Sequence, residues 1–191
     1  MINFSKVESY RININYAKAL FMLAGETGKH DDVAKDMRIV SDVCRENHVL
    51  NTIVNNPIIR ETKKMAIVAE LFGERVCKET LAFLNFVVKK NRTVNLRGIA
   101  DAYLEMYRES KNIILSKLTT AFEVDEGVKS QVSNMVGSHT GKTVELETCV
   151  DKSIIGGLMV EFNNTMFDGR ISSKIAKLRL EFNKNYYESK L

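Results

Sequence analysis

Placed at about 100° per residue, the apolar side chains of residues 7–24 fall into two stripes on opposite sides of a helix. Tyr10, Ile14, Ala17, Phe21 and Ala24 form one stripe, and Ile12, Tyr16, Ala19 and Leu23 form the other. Arg11, Asn15 and Lys18 crowd a narrow polar edge. A helix that needs cover on two sides either lies at the centre of its domain or is completed by a partner. Residues 78–90, KETLAFLNFVVKK, raise the same question. There Leu81, Ala82, Phe83, Leu84, Phe86, Val87 and Val88 cover nearly every side, and Asn85 and Lys89 share a thin polar edge.

The other segments of the first half are simpler. Val33, Met37, Val40 and Cys44 recur at spacings of four, three and four within residues 30–47, which predicts a helix with one inward face. Asp31 and Asp32 suit its positive N-terminal end. The run 49–54 then reaches Asn55, Asn56 and Pro57, a turn and restart, since the residue before proline avoids the helical region. A helix over about residues 60–72 follows, with Gly73 placed as a left-handed cap. After Asn91 and Arg92, the positions Leu96, Ile99, Tyr103, Met106 and Tyr107 mark a long helix reaching about Ser110.

Beyond Ser110 the period changes. NIILSKLT and KTVELETCV read as strands, the second alternating Val144, Leu146, Thr148 and Val150 with Glu145, Glu147 and Cys149. Asp125 precedes Val128, Val132, Met135 and Val136 as the N-cap of a helix. GLMVEF and TMFDG flank Asn163 and Asn164, residues that tolerate a tight hairpin turn. Ile171, Ile175, Leu178 and Phe182 step along a terminal helix. The pattern therefore predicts an all-helical part to about residue 105 and an α+β part from about 111, with no Gly/Ser-rich linker between them.

Composition adds modest constraints. Of 191 residues, 45% are hydrophobic and 27% charged, the usage of a globular chain, and a single proline favours long helices. The net charge of +4 and pI near 8.9 are mild. From Arg170 onward, however, six basic residues (Arg170, Lys174, Lys177, Arg179, Lys184, Lys190) face only Glu181 and Glu188, so the last helix is locally cationic. That charge motivates a rival reading as a helical nucleic-acid-binding regulator, for which retention on DNA with a steep salt dependence is the test. Cys44, Cys77 and Cys149 are scattered without a CxxC pair, which suggests neither a disulfide framework nor a zinc site. No stretch approaches the roughly 18 consecutive apolar residues of a membrane span, so the expectation is a soluble or peripheral protein.

Catalytic motifs fail one by one. Gly137 to Thr143 reads GSHTGKT, but only three residues separate Gly137 from Gly141 where a phosphate-binding loop needs four. It also follows a helix and opens a strand, the reverse of the order that aims helix amides at phosphate. His30-Asp31 lacks the further histidines of a metal phosphohydrolase, and Cys44 with His48 supplies two ligands where zinc takes three or four. Asp168-Gly169-Arg170 reads as a turn. No nucleophile, base and oxyanion donor assemble.

Several strings taken in order carry a family resemblance. They are Tyr16-Ala17-Lys18-Ala19-Leu20-Phe21, Asn56-Pro57, Leu71-Phe72-Gly73, Leu84-Asn85-Phe86 with Asn91-Arg92, Gly141-Lys142, the run from Val150 to Gly157, and Asp168-Gly169. Together they span about residues 7–182, and the chain resembles the delta subunit of F-type ATP synthases, counterpart of the mitochondrial oligomycin-sensitivity-conferring protein. It departs at Thr93 and Val94, where the family often has arginine and leucine, and at Arg170, where a small residue is common.

The resemblance implies a mainly α fold: an N-terminal six-helix bundle over residues 1–105 that binds the catalytic head, then a small α+β domain over 106–191 that binds the peripheral stalk. It implies a non-catalytic stator subunit of a proton-translocating complex, without cofactor, nucleic acid or small-molecule substrate. Its partners are the N-terminal helix of an alpha subunit, gripped between the bundle's first and fifth helices, and the b-type stalk subunits. Those two helices are the segments with surplus apolar surface. The expected groove residues are Ile12, Tyr16, Ala19, Leu23, Phe83, Val87 and Lys90, with the stripe from Tyr10 to Ala24 facing the core. Wheel geometry alone does not rank the two stripes. The expected stalk-binding region is Ile154, Ile155, Gly156, Gly157, Asp168, Gly169, Lys174 and Lys177. The glycines there also suit a bulge or close backbone approach. The implied location is peripheral, on the cytoplasmic side of a bacterial cell membrane and held there only through the complex.

Overall fold

The computed structural model describes residues 4–47, 52, 56, 58–163 and 165–185. The expected turn at Asn55 and Pro57, most of the run 49–54, His48 and Asn164 lie outside the described residues. Among those described, the chain is mainly helical, with seven α-helices and one four-stranded sheet. It divides into two compact units, Met1–Ser110 and Lys111–Leu191. The division falls at Ser110 and not at 105 because the last helix of the first unit runs unbroken to that residue, with Tyr103 and Leu104 buried.

The first unit contains α1 (Phe4–Thr27), α2 (His30–Glu46), α3 (Glu61–Phe72), α4 (Lys78–Lys89), a 3-10 turn at Thr93–Asn95 and α5 (Leu96–Ser110). α5 lies against both α1 and α2, and α4 against α3 and α2. The core joins Ala17, Leu20 and Ala24 of α1 to Val33, Met37 and Val40 of α2, Phe72 of α3, Leu84 and Val87 of α4, and Ile99 and Tyr103 of α5. Burying each large aliphatic side chain contributes about 1.5–3 kcal/mol. α1 comes close to α5 because Gly98 has no side chain: a Cβ there would overlap the amide of Asn13.

Turns in this unit follow from backbone freedom. Gly28 takes φ +69°, and Lys29 N–H closes onto Ala24 O at 3.0 Å to end α1. Asn91, at φ +53°, ends α4 in the same left-handed region. Gly73 differs from expectation. Its φ is −55°, right-handed, and the chain keeps turning so that Val76 N–H reaches Phe72 O at 3.1 Å.

The second unit contains β1 (Ile113–Thr120), α6 (Glu126–Thr140), β2 (Thr143–Val150), β3 (Leu158–Phe162), β4 (Thr165–Asp168) and α7 (Ile171–Asn185). Its sheet has the order β2-β1-β3-β4, with β1 parallel to β2 and antiparallel to β3. Ile114 pairs with Val144 and Leu118 with Val160, so alternate residues of every strand share one face. That face packs on Val132 and Val136 of α6. Asp125 stands at the N-cap position with extended backbone, though its side chain makes no capping hydrogen bond. At the other end Gly141, at φ +68°, donates to Gly137 O at 2.8 Å and turns the chain into β2.

Candidate partner-binding surfaces

On α1 the stripe expected to face the core does so only toward its C-terminal half, since Tyr10 is 59% exposed and Ile14 and Phe21 are half-buried. Ala17 and Ala24 are buried with Leu20, whereas Ala19 and Leu23 are exposed and Ile12 and Tyr16 are half-buried. The exposed flank faces α4: the rings of Tyr16 and Phe86 lie 6.1 Å apart, and Lys90 Nζ sits 5.7 Å from the Phe86 ring centre. An ammonium over an aromatic face gains from the ring quadrupole. Phe86 is 47% exposed, and neighbouring Ala82 is also open to solvent. Tyr16 and Phe86 thus meet across α1 and α4 with Lys90 beside them, and Ile12, Ala19 and Leu23 lie along the Tyr16 side of α1 at helical spacing.

Two expected groove residues are elsewhere. Val87 is fully buried and Phe83 is 8% exposed, both in the core cluster, because Thr80, Phe83, Leu84, Val87 and Val88 make the inward face of α4. Phe86, next to Val87 in the chain, stands at the surface in its place. Lys90 lies three residues from Val87 and four from Phe86, so helical spacing alone admits either neighbour.

The N-terminus of α4 is tied to the rest of the unit by polar contacts. Lys29 Nζ meets Glu79 Oε1 at 2.7 Å, and that hydrogen bond holds the Glu79 carboxyl below its ordinary pKa and raises that of Lys29. Cys77 N–H donates to Asp36 Oδ2 at 2.8 Å. Burial pushes the Cys44 thiol up to about 11 and also raises Cys77, so neither is an activated nucleophile. No cluster of metal-ligating side chains occurs among the described residues.

In the second unit, the glycine pairs meet each other. Gly157 takes φ +88°, and a Cβ on it would overlap the carbonyl oxygen of Gly169. Gly169 N–H donates to Leu158 O at 2.9 Å, and Ile171 N–H to Gly156 O at 3.0 Å. Asp168 completes the clasp: it accepts from Arg170 N–H at 3.0 Å, Arg170 Nε at 2.9 Å, Arg170 Nη2 at 2.8 Å and Ser173 Oγ at 2.7 Å. These bonds, the Arg170 side chain first, hold the Asp168 carboxyl far below the usual carboxylate range. Gly156, Gly157, Asp168 and Gly169 therefore fix where α7 begins, and Ile154, 6% exposed, is buried.

What that clasp presents is an uncovered helix. Ile171, Ile175, Leu178 and Phe182 are 46%, 41%, 51% and 71% exposed, and Lys174 and Lys177 are open to solvent as well. Ile155 is 74% exposed beside the clasp. Of the expected stalk-binding residues, then, Ile155, Gly157, Lys174 and Lys177 stand at the surface. The apolar stripe of α7, predicted as a helix face and not as a contact, is the larger exposed feature.

The GSHTGKT segment is the C-terminal end of α6 and its turn into β2, so no helix N-terminus faces it. No described helix is long and apolar enough to cross a membrane.

Comparison with known proteins agrees across sequence and fold. Residues 12–182 match the family model described as ATP synthase delta (OSCP) subunit. A protein of Lachnoclostridium phytofermentans named ATP synthase subunit delta is 34% identical over 169 residues, covering 87% of this chain and 92% of its own. One of the same name from Cytophaga hutchinsonii is 31% identical over 172 residues, covering 90% and 94%. A chain in the Toxoplasma gondii mitochondrial ATP synthase hexamer superposes with a TM-score of 0.69 at 18% identity over 89% of this chain and 96% of that one, a likeness of fold. The chain belongs to the ATP synthase delta (OSCP) subunit family, whose members are structural, non-catalytic components of the peripheral stalk.

Proposed function

We propose that the α1/α4 surface grips the N-terminal helix of an ATP synthase alpha subunit, and that α7 with Ile155 meets the b-type stalk subunits. The protein then joins the catalytic head to the stalk of a proton-translocating complex, on the cytoplasmic side of a bacterial membrane. It reaches that membrane only through the complex. In this reading the first unit corresponds to the family's six-helix bundle.

The observation that carries the head contact is the Tyr16–Phe86 pair, a 6.1 Å ring approach flanked by exposed Ala19 and Leu23. A helix laid along that flank would cover side chains that the unit's own core leaves open, the usual mode for an amphipathic helix in a groove. Apolar burial contributes about 25 cal/mol per Å², less the cost of ordering the incoming helix. Such a contact need not break during the catalytic cycle, which suits a part that resists torque.

The stalk contact rests on the exposed stripe of α7. Its cationic neighbours Lys174 and Lys177 suit an acidic helix, although exposed ion pairs add little affinity by themselves. The apolar positions supply most of the grip.

Calorimetric titration with a peptide of the alpha-subunit N-terminal segment tests the first contact. Tyr16→Asp and Ala19→Asp proteins that remain folded should bind it at least roughly tenfold more weakly. Undiminished affinity in both would sink the assignment. In reconstituted membranes the same variants should lose ATP-driven proton pumping while the detached head still hydrolyses ATP.

A further inference from the structure

The sheet of the second unit has one long open edge. β2 lies outermost and pairs with β1 through an unbroken register from Ile113↔Thr143 to Thr120↔Val150. At its two ends Thr143 N–H donates to Asn112 O at 3.1 Å and Asp151 N–H to Thr120 O at 2.8 Å. Odd-numbered residues of β2 thus turn their amides toward β1. Alternate residues of a ladder turn theirs the other way, so Val144, Leu146, Thr148 and Val150 direct N–H and C=O groups to the open edge. The strand carries none of the proline or bulge devices that usually blunt an edge.

The surroundings of this edge differ on the two faces. On the helix-covered face, Thr148 and Val150 line a cleft of about 400 Å³ with Thr120, Glu123, Val124 and Lys129. Val150 is 44% exposed there. On the other face the register aligns Glu161, Lys117 and Glu147 in a row across β3, β1 and β2. The next place in that row, beyond Glu147, complements a cation.

We propose that the β2 edge accepts an extended segment of a partner protein as a fifth strand. The segment alternates β-branched residues, which pack on the Thr148 and Val150 side chains at the rim of the cleft, with Lys or Arg, which continue the charge row past Glu147. Backbone hydrogen bonds give such an added strand its affinity, and side-chain pockets give it selectivity. A second copy of this chain fits less well, because two β2 edges set side by side would bring acidic rows together. The proposal does not depend on what α7 or the α1/α4 flank binds.

The test is amide hydrogen exchange on the full-length protein with a short capped peptide that alternates valine and lysine. Exchange should slow at Val144, Leu146, Thr148 and Val150 and stay unchanged at Glu145 and Glu147, whose amides already bond to β1. The same peptide N-methylated throughout should give no protection. Glu147→Lys should weaken the valine–lysine peptide by roughly tenfold and strengthen a valine–glutamate one. Thr148→Pro removes an edge donor without touching the ladder to β1, and should abolish binding in a protein with an unchanged circular dichroism spectrum. Protection outside β2, equal binding of the N-methylated peptide, no binding at all, or a dimer formed through β2 in place of peptide uptake would each overturn the proposal.

Discussion

Gly157 and Gly169 meet backbone to backbone: Gly157 sits at φ +88°, and the place where its Cβ would stand is occupied by the carbonyl oxygen of Gly169. The contact sets the direction in which the chain leaves the sheet for α7. A left-handed φ costs a residue with a side chain roughly 1–2 kcal/mol, and the overlap adds to that. Gly157→Ala should therefore destabilise the second unit by about 2 kcal/mol or more. Hydrogen exchange at the Gly169 and Ile171 amides, which bond across the clasp, is the direct readout. Unchanged protection there would mean the clasp is loose.

The charge at the same clasp has a pH signature. Asp168 has a folded-state pKa depressed by Arg170 and Ser173. A depressed carboxyl contributes stability that is present above its unfolded pKa, about 3.9, and is lost as pH falls toward the folded value. Asp168→Asn should thus be less stable than the wild type at pH 7, with the gap closing on acidification below about pH 4. Chemical denaturation of both proteins across that range checks it. A gap that holds constant into acid would show that geometry, and not charge, supplies the effect.

Phe83 and Phe86 stand three positions apart on α4 and should behave oppositely. Phe83 is core, so Phe83→Ala should cost about 3–5 kcal/mol of stability. Phe86 is nearly half exposed, and Phe86→Ala should cost under about 1.5 kcal/mol while weakening capture of the alpha-subunit helix. Thermal unfolding and peptide titration on each variant separate the two effects. Equal loss of stability would place both rings in the core.

These two phenylalanines also mark where the sequence stops being informative. α2 was legible because its apolar residues occupy one stripe, and Val33, Met37, Val40 and Cys44 are all buried. On α4 the apolar residues surround the axis, so which side faces inward depends on where α2 and α3 lie, a tertiary fact that periodicity does not carry. β2 announced itself by alternation, and Val144 and Leu146 do turn toward α6. The glycine clasp was half legible. Gly156-Gly157 signalled close backbone approach, but the approaching backbone is that of Gly169 and Arg170, brought there by the β3–β4 hairpin. Burial of Ile154 beside exposure of Ile155 follows from the same loop and leaves no trace in residue type.

The exposed stripe of α7 gives the sharpest separation of fold from function. Leu178 and Phe182 are 51% and 71% exposed, so the folded unit gains little from either. Leu178→Asp and Phe182→Asp should change stability by no more than about 0.5 kcal/mol, as for surface positions in general. If α7 is where the b-type subunits bind, both variants should fail to capture them from detergent-solubilised membranes while retaining the alpha subunit. Loss of stability instead would mean that the stripe packs within its own unit in solution. Retention of the stalk subunits by both stable variants would move the contact off this helix, because an aspartate in the middle of a buried apolar seam leaves an unpaired charge that binding cannot absorb.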